Sequence, residues 1–198
     1  MASGCGILDG DVAVGSGFLP ALPCWQPFAV RYNTALRSYD PAVVVLMFGP
    51  TLMYDRRLGR NVLRVGSPAF EQYLDDNLDS LRGQLKTQSL RFVVTTVPCM
   101  TANHYGTITN LDSVLRDNAR RESVNGALRQ YATSRHLALL DFDSLLCRGG
   151  QRVVLAHRYA LGAANGIGLS PAGAGTSWRW LAHQLNLDQP LTPASRPS

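Results

Sequence analysis

Lysine is almost missing from this chain: eighteen of its nineteen basic residues are arginine, and Lys86 stands alone. Dense basic tracts are missing too. The closest groupings are Arg56-Arg57 with Arg60, and Arg116 to Arg121. No RNP motif, zinc-finger spacing or helix-turn-helix accompanies them. The net charge of +5 therefore reads as solvated faces and salt bridges, and nucleic acid is not an expected partner. Long apolar runs are also lacking. The longest, Ala42 to Phe48, has seven residues, whereas a bilayer-spanning helix needs ~20. The first six residues hold no basic stretch leading into an apolar one, so no signal peptide is read there. Cysteine is sparse. Cys5, Cys24, Cys99 and Cys147 include no C-x-x-C pair, which argues against a zinc-finger-like site; no metal and no cofactor are expected. By count alone, two disulfides and four thiols are both open. What the chain does have is 45% hydrophobic and 17% charged residues, enough to build a core rather than a disordered polymer.

The 198 residues suit one domain, placed at 1–187, with a Pro- and Ser-rich tail, 188–198, expected to be disordered. Eighteen glycines and eleven prolines point to long functional loops rather than a helical bundle. Along the chain, strand and helix patterns alternate. Ala42 to Phe48 is a β-branched run stopped by Gly49-Pro50, and reads as a buried strand. Ser67-Pro68 opens a helix, with Ser as N-cap and Pro at the first helical position. Its apolar stripe is Phe70, Leu74, Leu78, Leu81 and Leu85. Arg91 to Thr96 reads as a second strand and Leu137 to Asp141 as a third. Between them, Arg116 to Ser134 reads as a helix facing inward through Val124, Ala127, Leu128 and Tyr131. Ser170-Pro171 opens a last helix, with the stripe Ala174, Trp178, Leu181 and Leu185.

Such alternation implies an α/β three-layer sandwich, a mainly parallel sheet flanked by helices. Working residues in such sheets lie at the carboxyl ends of the strands. Here those ends are Gly49 to Arg57, Val97 to Tyr105 and Asp141 to Arg148, joined by the loop Ala164 to Ser170.

Several segments carry a family resemblance. They are Gly4-Cys5-Gly6-Ile7, Cys24-Trp25, Asp40-Pro41-Ala42 to Gly49, Asp55-Arg56-Arg57, and Val65 to Phe70. Val97-Pro98-Cys99, Arg121 with Asn125, Leu140-Asp141 to Cys147, and Asn165-Gly166-Ile167-Gly168-Leu169-Ser170-Pro171-Ala172-Gly173-Ala174 continue the series. In order and spacing these resemble the SGNH (GDSL-like) hydrolases. They are most similar to the SGNH domains at the C-terminus of bacterial membrane acyltransferases, over most of residues 3 to 186. The resemblance implies an SGNH/flavodoxin-like fold and serine ester hydrolase or O-acyltransferase chemistry. That chemistry needs a serine nucleophile in a G-D-S motif, and a histidine base three residues after an aspartate in D-x-x-H. It also needs an oxyanion hole of backbone N–H groups.

The D-x-x-H position here reads Asn165-Gly166-Ile167-Gly168, and Gly168 has no side chain to act as a base. The G-D-S strand precedes the G-C-G-I segment in the family, and here three residues precede Gly4. Gly10-Asp11-Val12, the local alternative, has Val in place of Ser. The fold is therefore expected without the family's first strand. That leaves a sheet edge open to rearrangement, loss of stability or homodimerisation. The retained parts are oxyanion-hole-like N–H groups at Gly4, Gly6 and Gly49, with Asp55, Asp141 and Asp143 as rim carboxylates. His104 and His157 are weak substitutes for the base; for each, a histidine with no catalytic role is the commoner case. His136 and His183 read as structural or exposed.

By the same resemblance, Cys5 pairs with Cys24 and Cys99 with Cys147, and the domain works outside the cytoplasm. The expected function is a catalytically degenerate SGNH domain that binds an acylated glycan or docks on a membrane acyltransferase. The alternatives are an active esterase or O-acyltransferase with displaced catalytic residues and, well behind, an arginine-rich nucleic-acid binder.

Overall fold

A computed structural model describes residues 7–14, 16–19, 36, 38, 39, 41–85, 90–100, 113–152 and 169–187. The parallel sheet is built from β3 (Val43–Leu46), β6 (Arg91–Thr95) and β7 (Ala138–Leu140), in the order β3-β6-β7. The sheet is covered on both sides, so its strands are apolar at successive positions rather than alternating apolar and polar. Val44, Leu46, Phe92, Val94 and Leu139 face one helical layer. Val43, Val45, Val93 and Leu140 face the other. The register sets Val44 beside Phe92 and Leu46 beside Val94, then Val94 beside Leu139. Among the described residues, no strand pairs with β3 on the side away from β6.

The first helical layer is α1 (Pro68–Gln84) and α2 (Asn118–Ser134). Ser67 Oγ accepts the Phe70 N–H and caps α1, and Phe70, Leu74, Leu78, Leu81 and Leu85 are all buried, as the stripe predicts. Asp117 caps α2 by accepting the Arg120 N–H, so the helix starts at Asn118 rather than Arg116. Its inner face is the expected Val124, Ala127, Leu128 and Tyr131. The second layer is a short helix, α3 (Phe142–Leu146), with α4 (Pro171–Gln184), capped by Ser170. Between α3 and α4 lies a small hairpin, β8 (Cys147–Arg148) and β9 (Gln151–Arg152).

The last helix keeps Leu181 and Leu185 of the expected stripe and corrects its first half by one residue. α4 buries Gly173, Ser177, Leu181 and Leu185, while Ala174 is exposed and Trp178 is 67% exposed. The small side chains of Gly173 and Ser177 occupy the inner side of its first half, and the bulky indole faces out.

A four-stranded antiparallel sheet, order β2-β1-β4-β5, has no counterpart in the sequence reading. It comprises β1 (Asp11–Val14), β2 (Gly17–Leu19), β4 (Arg56–Leu58) and β5 (Asn61–Leu63). Gly10-Asp11-Val12 thus opens an antiparallel strand rather than following a strand of the parallel sheet. Adjacent arginines split between the two faces, because side chains alternate along a strand. Arg57 stands across from Asp11 and Val62 on the outer face, where it pairs with Asp11 and stacks 4.1 Å over the Phe18 ring. Arg56, across from Val12 and Leu63, is buried at 3% exposure. It donates to the Thr51 carbonyl at 2.6 Å and the Gly10 carbonyl at 3.5 Å, tying this sheet to the turn after β3. Gly10 has φ +81, and a Cβ there would sit 2.7 Å from the Arg57 carbonyl oxygen, so only glycine fits.

Candidate functional site

The carboxyl ends of β3, β6 and β7 form one rim. After β3 the chain passes through Met47 and Phe48 to Gly49, which stands at the start of a 3-10 turn, Pro50–Met53. Gly49 has φ −101 and ψ −174, and an added Cβ would meet nothing within 4 Å.

The end of β6 is held by side-chain bonds to its backbone. Asn125, 1% exposed on α2, accepts the Val97 N–H at 2.7 Å and donates to the Val97 carbonyl at 3.0 Å. Thr95 Oγ1 donates to the Leu46 carbonyl at 3.2 Å, linking β6 to β3. Thr96 Oγ1 donates to Asp141 at 3.0 Å and accepts the Asp143 N–H at 2.8 Å, linking β6 to α3. Cys99 and Cys147 form a disulfide with Cα atoms 5.9 Å apart, fastening the same two segments. This is one of the two expected pairs; Cys5 and Cys24 lie outside the described residues.

Three carboxylates were expected near this rim, and all three are engaged. Asp55 accepts from Arg120 at 2.7 and 3.1 Å and from the Val65 N–H at 2.9 Å. Burial pushes its pKa up, but the Arg120 and Val65 hydrogen bonds and the charges of Arg120 and Arg64 outweigh burial, leaving the carboxyl below its ordinary value. Asp141 caps α3 by accepting the Ser144 N–H and is held by Arg129 at 3.2 Å. Burial raises its pKa too, while Ser144, Arg129 and Thr96 together hold it below the usual carboxylate range. Asp143 goes the other way: burial leads, and its pKa is raised despite Arg121. Its Oδ1 lies 3.2 Å from Arg121 Nε, yet neither atom makes a well-directed hydrogen bond.

As placed, these carboxylates position the rim; none is free to serve as a general base. Gly4, Gly6, His104, His157, Asn165 and Gly168 lie outside the described residues. His136, exposed with φ 53, ends the turn after α2, and exposed His183 sits on α4; neither belongs to this rim. Sequence reasoning missed the partners Arg120, Arg129 and Thr96. An N-cap aspartate followed three residues later by arginine, Asp117 to Arg120, was the one signal available for Arg120.

Solved structures share this architecture. A proposed acylhydrolase from Bacteroides fragilis superposes with a TM-score of 0.57 at 16% identity, over 85% of this chain and 72% of that one. A GDSL-like lipase from Bacteroides thetaiotaomicron gives 0.56 at 13% identity, over 86% and 74%. The lipase/acylhydrolase from Enterococcus faecalis gives 0.53 at 14% identity, over 83% and 71%. The chain has the SGNH-hydrolase fold. No family model matches the sequence, and no curated protein matches it. At these identities the likeness is one of fold. The carboxyl-end rim of the parallel sheet is braced by Asn125, Thr96 and a disulfide.

Proposed function

We propose that this SGNH-fold domain binds an acylated ligand, an O-acylated glycan by the family resemblance, without cleaving it. The glycine at position 168 carries the reading: by the family resemblance it falls at the D-x-x-H base, and a glycine cannot take a proton from a serine. The engaged state of Asp55, Asp141 and Asp143 supports it, since none of them offers a free base in exchange. The Cys99–Cys147 disulfide supports work outside the cytoplasm, where such bonds persist. A membrane acyltransferase is the expected docking partner.

The test pairs turnover with binding. p-Nitrophenyl acetate should be hydrolysed no faster by the protein than by buffer, while an O-acetylated oligosaccharide should give saturable heat in calorimetry. The second reading, an active esterase with a displaced base, is favoured by the names of the three structural neighbours. Hydrolysis that disappears in His104→Ala or His157→Ala would establish that reading and overturn the first.

A further inference from the structure

The outer strand of the parallel sheet, β3, has one side with its backbone unpaired. In a parallel ladder, alternate residues of a strand turn both backbone groups to the same neighbour. The Ala42 carbonyl accepts the Arg91 N–H at 3.0 Å, so Ala42, Val44 and Leu46 bond to β6. Val43 and Val45 therefore turn their N–H and C=O groups the other way, and among the described residues no strand meets them. Burial agrees. β6 is buried from Phe92 to Thr95, whereas Val43 to Leu46 are half-buried although side chains on both faces of β3 are packed. We infer that this edge pairs with β3 of a second copy of the chain, antiparallel, about a two-fold axis at Val44.

That register is self-complementary, as a two-fold interface requires. Val43 lies opposite the partner's Val45, and Val45 opposite the partner's Val43. Each is a hydrogen-bonded pair that exchanges two bonds, so the outward groups of both residues are satisfied. Val44 meets the partner's Val44 at the closer, non-hydrogen-bonded spacing, where β-branched side chains pack against each other. Opposed residues share a face, so each helical layer continues from one copy to the other.

Charge selects the occupant. From Pro41 to Tyr54 the chain holds no charged residue, in a protein of net charge +5. Two like-charged copies therefore meet here with little local repulsion. Sheet edges that avoid self-pairing carry lysine, an internal proline or a bulge. β3 reads Val-Val-Val-Leu in unbroken register with β6, and Met47 just beyond it is exposed. Ala42 to Phe48 also has no polar side chain with which to select a different strand, whereas a second copy brings the same apolar sequence. An edge this short buries less than the ~800 Å² per partner of a standard interface, so the dimer should dissociate on dilution in the micromolar range. The pairing is independent of what the rim binds, and its test is separate from the turnover and calorimetry assays.

The test is sedimentation of the full chain at roughly 2 to 200 µM, the range in which a micromolar dimer forms. Amide hydrogen exchange is read residue by residue at both ends of that range. The chain should pass from monomer to dimer. The Val43 and Val45 amides should gain protection at the high concentration only, while those of Val44 and Leu46, bonded to β6, are protected at both. Val43→Pro removes one outward donor at the first residue of the strand, where proline is tolerated, and should leave a monomer with an unchanged melting temperature. Should Val43→Pro fail to fold, Met47→Lys replaces it and should weaken the dimer about tenfold or more, lysine being the usual guard of an edge. A monomer at every concentration with exposed Val43 and Val45 amides would overturn the inference and leave the edge to a different chain. Equal protection of these amides at both concentrations would overturn it in favour of a segment of the same chain. A folded Val43→Pro or Met47→Lys that dimerises as tightly as the wild type would overturn it as well.

Discussion

Arg120 grips Asp55 with both terminal nitrogens, at 2.7 and 3.1 Å, joining the first turn of α2 to the segment between the 3-10 turn and β4. The same guanidinium donates to the Met53 carbonyl at 3.3 Å and lies 3.6 Å from Asp117. Asp55 in turn accepts the Val65 N–H just before α1. One ion pair therefore fixes three chain segments around the rim.

Its pH dependence follows from the direction of the Asp55 shift. The folded-state pKa is below the ordinary value of 3.8, so the stability it contributes is complete above that value and is lost as pH falls through the lower folded one. Asp55→Asn should lower stability at pH 7 by roughly 1.5–3 kcal/mol, the usual worth of hydrogen bonds to a charged group. The loss should shrink below pH 4. Urea midpoints of both proteins between pH 2.5 and 7 check this; parallel curves would contradict it.

Asn125 is the next test. It satisfies both the N–H and the carbonyl of Val97 from a site 1% exposed. Asn125→Leu keeps the volume but strands two buried backbone groups, each costing about 1–3 kcal/mol. A total loss of roughly 2–6 kcal/mol is expected by urea denaturation. Asn125→Asp keeps the acceptor for the Val97 N–H but loses the donor to the carbonyl. It also buries a carboxylate, so it should destabilise more at pH 8 than at pH 5.

The disulfide closes a loop of 48 residues. Chain entropy alone puts its worth at roughly 4 kcal/mol for a loop of that size. Cys99→Ala with Cys147→Ala should lower the melting temperature by roughly 8–16 °C. Wild-type protein treated with a phosphine should melt near the double variant.

Apolar periodicity made the parallel half of the fold legible. The stripe Phe70 to Leu85 and the face Val124 to Tyr131 are buried because helices must hide one side, and three- and four-residue spacing records which side. Ser67 and Ser170 cap the helices they were expected to cap. The antiparallel sheet escaped because its strands are three or four residues long and one buries an arginine. Arg56 looks solvent-facing in sequence; only the carbonyls of Thr51 and Gly10, remote from it or five residues away, make its burial tolerable. The rim carboxylates were legible as acids at strand ends. Their engagement was not, because Arg120 lies 65 residues from Asp55 and Thr96 lies 45 residues from Asp141.

The phase of α4 gives a direct comparison within one helix. Trp178 and Leu181 are three residues apart and both belonged to the stripe read from the sequence, yet Trp178 is 67% exposed and Leu181 is 5% exposed. Hydrophobicity alone ranks the tryptophan as the larger contributor, whereas burial ranks the leucine. Leu181 packs in the cluster with Val93, Phe142 and Leu185, so Leu181→Ala should cost about 2–5 kcal/mol through lost contact and an unfilled cavity. Trp178→Ala should stay within ~0.5 kcal/mol, as surface substitutions do. Indole fluorescence adds a second readout. Trp180, which packs 5.9 Å from the Phe142 ring, should hold the blue-shifted part of the emission, and Trp178→Phe should remove a red-shifted part. Large stability losses in both Trp178→Ala and Leu181→Ala would mean that α4 presents the face that periodicity first suggested.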